Sequence, residues 1–375
     1  MLIALLLVSL ATALAIPPTC FDNFGSCMDA CPAPESGARC DTELNVPGLG
    51  GQPGYCCHEP EYGCFSEQGY ALANCASKDV TKYDDFFYCC EPRVRATGKT
   101  VEIAPGVLMP SINLGTCCGS DPKVGIPAWL AAGGSGIDTS NDYASTTDIA
   151  GVLASTPRSA FFMTSKVHVP CPGGCSPDYA LEQYALEQVQ LAIRTLAVVQ
   201  LDLMLIHHPA SDPENVALWK GLEQAVALNL TRAIGLSNFN PPQIDALLKV
   251  ATVRPSVNQC DLSVGGQDKQ CGERDEAISY NLAHNISYEA WSPMKNCPFD
   301  DTSMKAIAAA HNVSVAQVCL RWILERGCTL AVGTGDDPDT VAKYTAENLD
   351  LFNFRLAPAD IREINKIASR RRRAL

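Results

Sequence analysis

The sequence predicts an α/β chain, a (β/α)8 TIM barrel preceded by a small disulfide-rich domain, on three observations. From about Thr100 onward, seven short runs that begin apolar and end polar alternate with longer helix-like stretches, the rhythm of successive β-α units and a parallel sheet. Ten of the nineteen cysteines crowd between Cys20 and Cys90. Arg93 to Lys99, with Thr97-Gly98, separates the two regions as a linker. The expected organisation is a signal peptide over 1–15, a cysteine-rich region over 16–97, a barrel over 98–369 and a basic tail over 370–375.

Met1 to Ala15 is almost uninterrupted Leu, Ile, Val and Ala, and it closes on Ala13-Leu14-Ala15. That small-x-small ending reads as a secretory signal peptide, its positive end supplied only by the terminal amine. The stretch is shorter than the roughly 20 apolar residues of a membrane span, so no membrane association is expected after cleavage. The protein is expected in the secretory pathway lumen or outside the cell. Nineteen cysteines suit a compartment where disulfides persist, and an odd count implies a free or intermolecular thiol. Sequons at Asn229, Asn285 and Asn312 are compatible with a glycoprotein.

The cysteine-rich region carries two similar words, Tyr55-Cys56-Cys57-His58-Glu59-Pro60 and Tyr88-Cys89-Cys90-Glu91-Pro92, which suggest a degenerate repeat. With Gly, Pro and Asp abundant and no helical period, its core needs covalent staples worth about 2–4 kcal/mol each. Zinc held by Cys27, Cys31 and His58 is the competing reading. Irregular spacing and an oxidising compartment favour disulfides. A carbohydrate or matrix partner for this region is an expectation from the compartment alone.

In the barrel, the runs lie at 135–140, 160–167, 201–208, 232–238, 255–259, 286–293 and 329–335, with an eighth strand expected near Gly125 to Ala132. Helices are expected over Ser176 to Val199, from Pro241, and over Ser314 to Leu324. A doubly wound open sheet is the competing topology, but no G-x-G-x-x-G turn follows the first strand. Arg370 to Arg373 reads as a frayed, solvated tail. A net charge of −13 excludes general nucleic-acid binding, which needs basic surfaces.

Four polar residues stand where apolar runs end: Asp138 and Tyr143 after the first, Lys166 in the second and His207 in the third. Their chemistry suits carbonyl reduction. Negative charge builds on a carbonyl oxygen as hydride reaches its carbon, and a placed acid is worth roughly 10²–10⁴-fold. An ammonium beside a tyrosine favours ionisation of the phenol, and a carboxylate keeps that ammonium charged. A neutral histidine can donate one N–H to the same oxygen. Singly, each residue is as readily a solvated or packing group.

The words Met109-Pro110, Leu114-Gly115-Thr116, Ile137-Asp138-Thr139, Thr164-Ser165-Lys166, Ile234-Gly235-Leu236-Ser237-Asn238-Phe239, Val257-Asn258-Gln259, Glu289-Ala290-Trp291-Ser292-Pro293 and Glu347-Asn348 come in order over Val101 to Ile367. In these the chain resembles the aldo-keto reductase superfamily. The resemblance implies that Asp138, Tyr143, Lys166 and His207 are the catalytic tetrad, with Tyr143 as general acid. It also implies a nicotinamide dinucleotide, NADP with NAD as an alternative, lying across the barrel mouth and reducing an aldehyde or ketone. Ser237, Asn238 and Gln259 then hold the carboxamide, Trp291 stacks on the nicotinamide, and Glu347 and Asn348 meet the adenine. Gly115, Thr116, Ser292, Gly333 and Thr334 complete the cofactor-binding set, and no metal is implied.

Departures from the family carry expectations too. Gly333-Thr334-Gly335-Asp336-Asp337 replaces a Pro-Lys-Ser segment and a 2′-phosphate-gripping arginine, leaving Lys343 as the one cation nearby in sequence. NADH should therefore be usable. Cys117, His168 and His208 replace aromatics, so the mouth should be more polar. Cys171 with Cys175 and Cys260 with Cys271 could pair, whereas Cys319 and Cys328 should pack as small hydrophobes. The rival reading is a non-catalytic cofactor-binding or extracellular recognition protein that uses the barrel as a scaffold.

Overall fold

The computed structural model describes residues 99–171, 174–176, 180–266 and 269–374, with only the backbone over 371–374, and six short strands between 20 and 89. The chain divides into two units, Met1–Arg93 and Val94–Leu375. The expected signal peptide, most of the linker, and the cysteine side chains between Cys20 and Cys90 lie outside the described residues.

In the first unit, Cys20–Phe21, Cys40–Asn45 and Pro53–Cys57 form one antiparallel sheet with the last strand central. Cys64–Phe65, Val80–Tyr83 and Phe86–Cys89 form a second sheet in the same order. Both central strands contain the Tyr-Cys pair of the repeated word.

The second unit is a closed barrel of eight parallel strands in chain order: β1 Ile112–Gly115, β2 Gly136–Asp138, β3 Phe162–Val167, β4 Leu201–Ile206, β5 Thr231–Ser237, β6 Val257–Asp261, β7 Ser287–Trp291 and β8 Thr329–Val332. The ring closes where Leu330 pairs with Ile112. This is the predicted (β/α)8 class, with one element misplaced. Gly125 to Ala132 is not a strand but most of the helix Pro122–Ala131. A short apolar run cannot be told from a buried helix by period alone, and the start signals decide it. Asp121 accepts from the Lys123 N–H and Pro122 sits in the first turn.

Other helices follow local chemistry. Leu181–Leu196 lies inside the stretch expected from Ser176 and stops at Ala197 in the left-handed region. Asn240 and Ser314 each cap a helix through a capping box, with Gln243 and Gln317 bonding back. The last helix, Pro358–Ala374, carries its backbone through the arginine run, so that run is helical rather than frayed. Asn229, Asn285 and Asn312 are exposed, at left-handed φ of 57°, 57° and 54°, just after helix ends. That position favours asparagine on conformational grounds alone.

One end of the barrel is plugged by an antiparallel hairpin, Thr100–Ala104 with Val107–Pro110. Val101, Ile103, Val107 and Met109 pack there against Phe162, Leu203, Leu205, Ala233 and Val257. The opposite, C-terminal strand ends are where such a barrel carries its chemistry.

Candidate active site

All four tetrad candidates sit at those C-terminal ends. Asp138 closes β2, Lys166 is the fifth residue of β3, and His207 follows β4. The loop after β2 is laid across the end of β3 by two main-chain bonds, Thr139 N–H to Thr164 O (3.0 Å) and Asn141 N–H to Lys166 O (3.2 Å). The path carries Tyr143 over the lysine. Lys166 is fully buried and donates to Asp138 Oδ1 at 2.6 Å, to Thr139 O at 3.0 Å and to Tyr143 Oη at 3.4 Å. The Tyr143 and His207 rings meet edge to face, centroids 5.6 Å apart.

Burial is the largest single influence on Lys166 and opposes its charge, but the charge and hydrogen bond of Asp138, joined by Tyr143 and Glu289, together outweigh it and hold the ammonium above its ordinary pKa. For Tyr143 burial is the largest influence and raises its pKa, while Lys166 pulls in the lowering direction without prevailing. The expected lysine effect is thus present but smaller than desolvation, and the resting group is a neutral phenol able to give a proton.

The sequence reading missed the network behind the tetrad. Gln259 Nε2 donates to Asp138 Oδ2 at 2.9 Å and to Glu289 Oε2 at 2.7 Å, and Asn113 Nδ2 donates to Glu289 Oε1 at 2.7 Å. Glu289 is fully buried, and desolvation together with the nearby Asp138 charge pushes its carboxyl up to about 7. Asp142 was missed as well: its Oδ1 lies 3.2 Å from His207 Nδ1. Glu289 stood within the quoted word that contains Trp291, and Asp142 directly before Tyr143, and only their side-chain direction was illegible.

The cofactor candidates mostly share the same rim. Ser237 Oγ donates to Gln259 O, and Asn238 Nδ2 donates to His207 O. Asn238 Oδ1 accepts from Trp291 Nε1 at 3.0 Å, which fixes the plane of the half-buried indole. With both amide protons of Gln259 engaged, its carbonyl oxygen remains to accept a bond. Gly115 ends β1, Thr116 Oγ1 donates to Asp138 O, Ser292 follows β7 at φ 50°, and Gly333 and Thr334 follow β8. Glu347 and Asn348 lie in the last turn of the helix Pro338–Leu349, where Ser314 Oγ donates to Glu347. The residues fit a dinucleotide in one further respect. The buried hydroxyl of Thr334 and the buried Asn348 Nδ2 have no hydrogen-bond partner among the described residues, and such groups are costly unless a ligand satisfies them.

Cysteines brace this rim. Cys171–Cys175 and Cys260–Cys271 are disulfides, as the spacing suggested, and Cys117–Cys118 forms a vicinal disulfide directly after Thr116. Cys319, expected to be a free core residue, is instead bonded to Cys297. The reason is position. Cys297 lies in the chain after β7, which passes over the helix Val315–Glu325 that carries Cys319. Cys328 is buried and free, its thiol pushed up to about 12 by desolvation.

The Aldo/keto reductase family pattern matches residues 126–369. Glyoxal reductase of Bacillus subtilis (strain 168) is 33% identical over 275 residues, which cover 72% of this chain and 92% of the relative. Morphine 6-dehydrogenase of Pseudomonas putida is 28% identical over 286 residues, covering 71% and 90%. Among solved structures, an aldo/keto reductase from Brucella melitensis matches with a TM-score of 0.62 at 26% identity, covering 72% of this chain and 98% of that one.

Proposed function

Because the chain belongs to the aldo/keto reductase family, an oxidoreductase family, we propose that it reduces a small aldehyde or ketone to the alcohol with NADPH, and that Tyr143 gives the proton. The observation that carries this reading is the buried chain Asp138–Lys166–Tyr143 at the open end of the barrel. A phenol kept neutral by burial holds a proton at Oη, and the ammonium 3.4 Å away stabilises the phenolate left after transfer.

When bound, the reduced nicotinamide supplies the hydride. Ser237, Asn238, Gln259 and Trp291 would hold and orient that ring, and Gly333, Thr334, Glu347 and Asn348 the remainder of the dinucleotide. NADPH is the cofactor in the names of relatives such as the codeinone reductases of Papaver somniferum. Asp336 and Asp337 stand exposed after β8 without an arginine at the matching place, which supports usable NADH as well, since a 2′-phosphate is best gripped by a guanidinium. A compact polar carbonyl suits a mouth with Cys117, His168 and His208 in place of aromatics, in keeping with the glyoxal named in the Bacillus relative. Four disulfides in the barrel unit support a secretory-lumen or extracellular location.

Purified protein given NADPH or NADH and a panel of aldehydes should oxidise the dinucleotide above blank. Tyr143→Phe should lose roughly 10²-fold or more of that turnover while dinucleotide affinity, read by quenching of tryptophan fluorescence, stays close to wild type. Equal turnover in the variant would exclude Tyr143 as the acid.

A further inference from the structure

The geometry points to Asp142 as a positioning residue that fixes the protonation of His207, so that the ring serves carbonyl reduction as an imidazolium rather than as a neutral donor. This rests on the reductase reading above and specifies the state of one residue in it.

The inference follows from which atoms surround His207 Nδ1. Asp142 Oδ1 lies at 3.2 Å and Ser140 Oγ at 3.3 Å. A carboxylate can only accept. Asp142 is ionised, because bonds from His207 and Ser140 and the charge of His207 outweigh its partial burial and hold the carboxyl well below the usual range. The single hydroxyl proton of Ser140 points to Asp142 Oδ1 or to Lys166 O. Ser140 thus also turns a lone pair toward the ring. With acceptors on both sides, Nδ1 must carry a proton.

A neutral imidazole has only one N–H. If Nδ1 holds it, Nε2 is a bare lone pair, able to accept from an alcohol but unable to donate to a carbonyl. Nε2 has no hydrogen-bond partner among the described residues, so no neighbouring group there imposes the opposite tautomer. Donation to a carbonyl oxygen then requires a second proton on the ring. In reduction the carbonyl carbon gains hydride from the nicotinamide, its oxygen gains the Tyr143 proton, and His207 keeps both protons while hydrogen-bonding to that oxygen. Solvent returns the proton to Tyr143. In alcohol oxidation the neutral ring accepts the substrate hydroxyl instead.

Other groups facing the ring are Tyr143, edge-on at 5.6 Å, and His208, stacked at 4.5 Å. Lys166 and Asp138 lie behind Tyr143, and Asn238 Nδ2 contacts both His207 O and His208 Nδ1. Of these, His208 is the group whose titration could imitate that of His207.

The test compares wild type with Asp142→Asn, which can donate to a bare Nδ1 and so permits a neutral ring with Nε2–H. In wild type, kcat/KM for reduction should fall about tenfold per pH unit once His207 loses its second proton, while oxidation rises over the same span. In Asp142→Asn that limb of the reduction profile should flatten, dinucleotide affinity should stay as in wild type, and His208→Gln should keep the wild-type slope. Nitrogen-15 NMR of the ring should show Nδ1–H in neutral wild type and Nε2–H in Asp142→Asn. A wild-type slope retained by Asp142→Asn, or Nε2–H in the neutral wild-type ring, would overturn the proposal. Absence of turnover with every carbonyl and both dinucleotides would instead sink the reductase reading, and the NMR result would still decide the role of Asp142.

Discussion

Leu203 and Leu205 on β4 and Lys166 on β3 are all fully buried inside one ring of strands, yet the two ends of that ring use burial in opposite ways. At the hairpin end Phe162, Ala233 and Val257 face Val101, Ile103, Val107 and Met109, an apolar cluster. Two or four residues further along the same strands, Lys166, Ser237 and Gln259 are buried at the other end. The period of two keeps both sets on the inner face. Dispersion and hydrophobic transfer hold one end, while the other is held by a network in which almost every buried charge has a named partner. Burial alone therefore says little about what a substitution will do. The number of buried groups left unpaired says more.

The most damaging change should be Lys166→Met. It leaves the buried carboxylate of Asp138 without its cation, and removing one partner of a buried pair costs about 3–5 kcal/mol. Turnover should vanish together with much of the stability, measured by urea unfolding beside single-turnover kinetics. Full stability in this variant would mean that water reaches Asp138 freely and that the contrast between the two ends is weaker than their packing suggests.

Met109→Ala tests the other end. Met109 is fully buried in the hairpin cluster, and the cavity left behind costs about 2–5 kcal/mol. The urea midpoint should fall, whereas turnover per folded molecule should match wild type, because no polar partner of the tetrad is touched. A fully folded variant with lost activity would show that the ends are mechanically coupled.

The same contrast explains what the sequence could and could not reveal. Apolar runs ending in Asp138, Lys166 and His207 announced both the barrel and its open end, since strand direction and a period of two are written in one dimension. The strand misassigned to Gly125 to Ala132 hid because Ile112–Gly115 is short and contains the polar Asn113, whose amide serves Glu289 rather than solvent. Asp142 and Glu289 hid for a related reason. A carboxylate in a loop or near a strand end is usually solvated, and only the crossing of the β2 and β3 ends puts Asp142 on His207. Likewise Cys319 could be paired with Cys297 only once the chain after β7 was folded back over its helix.

The smallest effect expected concerns Glu289, where the polar end pays for its arrangement in pH dependence. Burial and then Asp138 raise this carboxyl to about 7 from an ordinary 4.5, so between those values the folded protein holds a proton that the unfolded chain releases. Stability changes with pH in proportion to protons bound unfolded minus protons bound folded. That difference is negative here, so the Glu289 contribution is fully present below the unfolded pKa and is lost as pH rises through the folded one. Glu289→Gln removes the titration and keeps an oxygen to accept from Gln259 or Asn113, while its new N–H can meet Asn113 Oδ1, which is buried without a partner among the described residues. Urea unfolding of wild type and variant at a series of pH values should therefore show the wild type losing stability relative to Glu289→Gln as pH climbs from acid to neutral, with parallel curves above neutrality. Curves parallel throughout would mean that Glu289 titrates in the folded protein where it does in the unfolded chain, the bonds from Gln259 and Asn113 and the Lys166 charge cancelling the effect of desolvation.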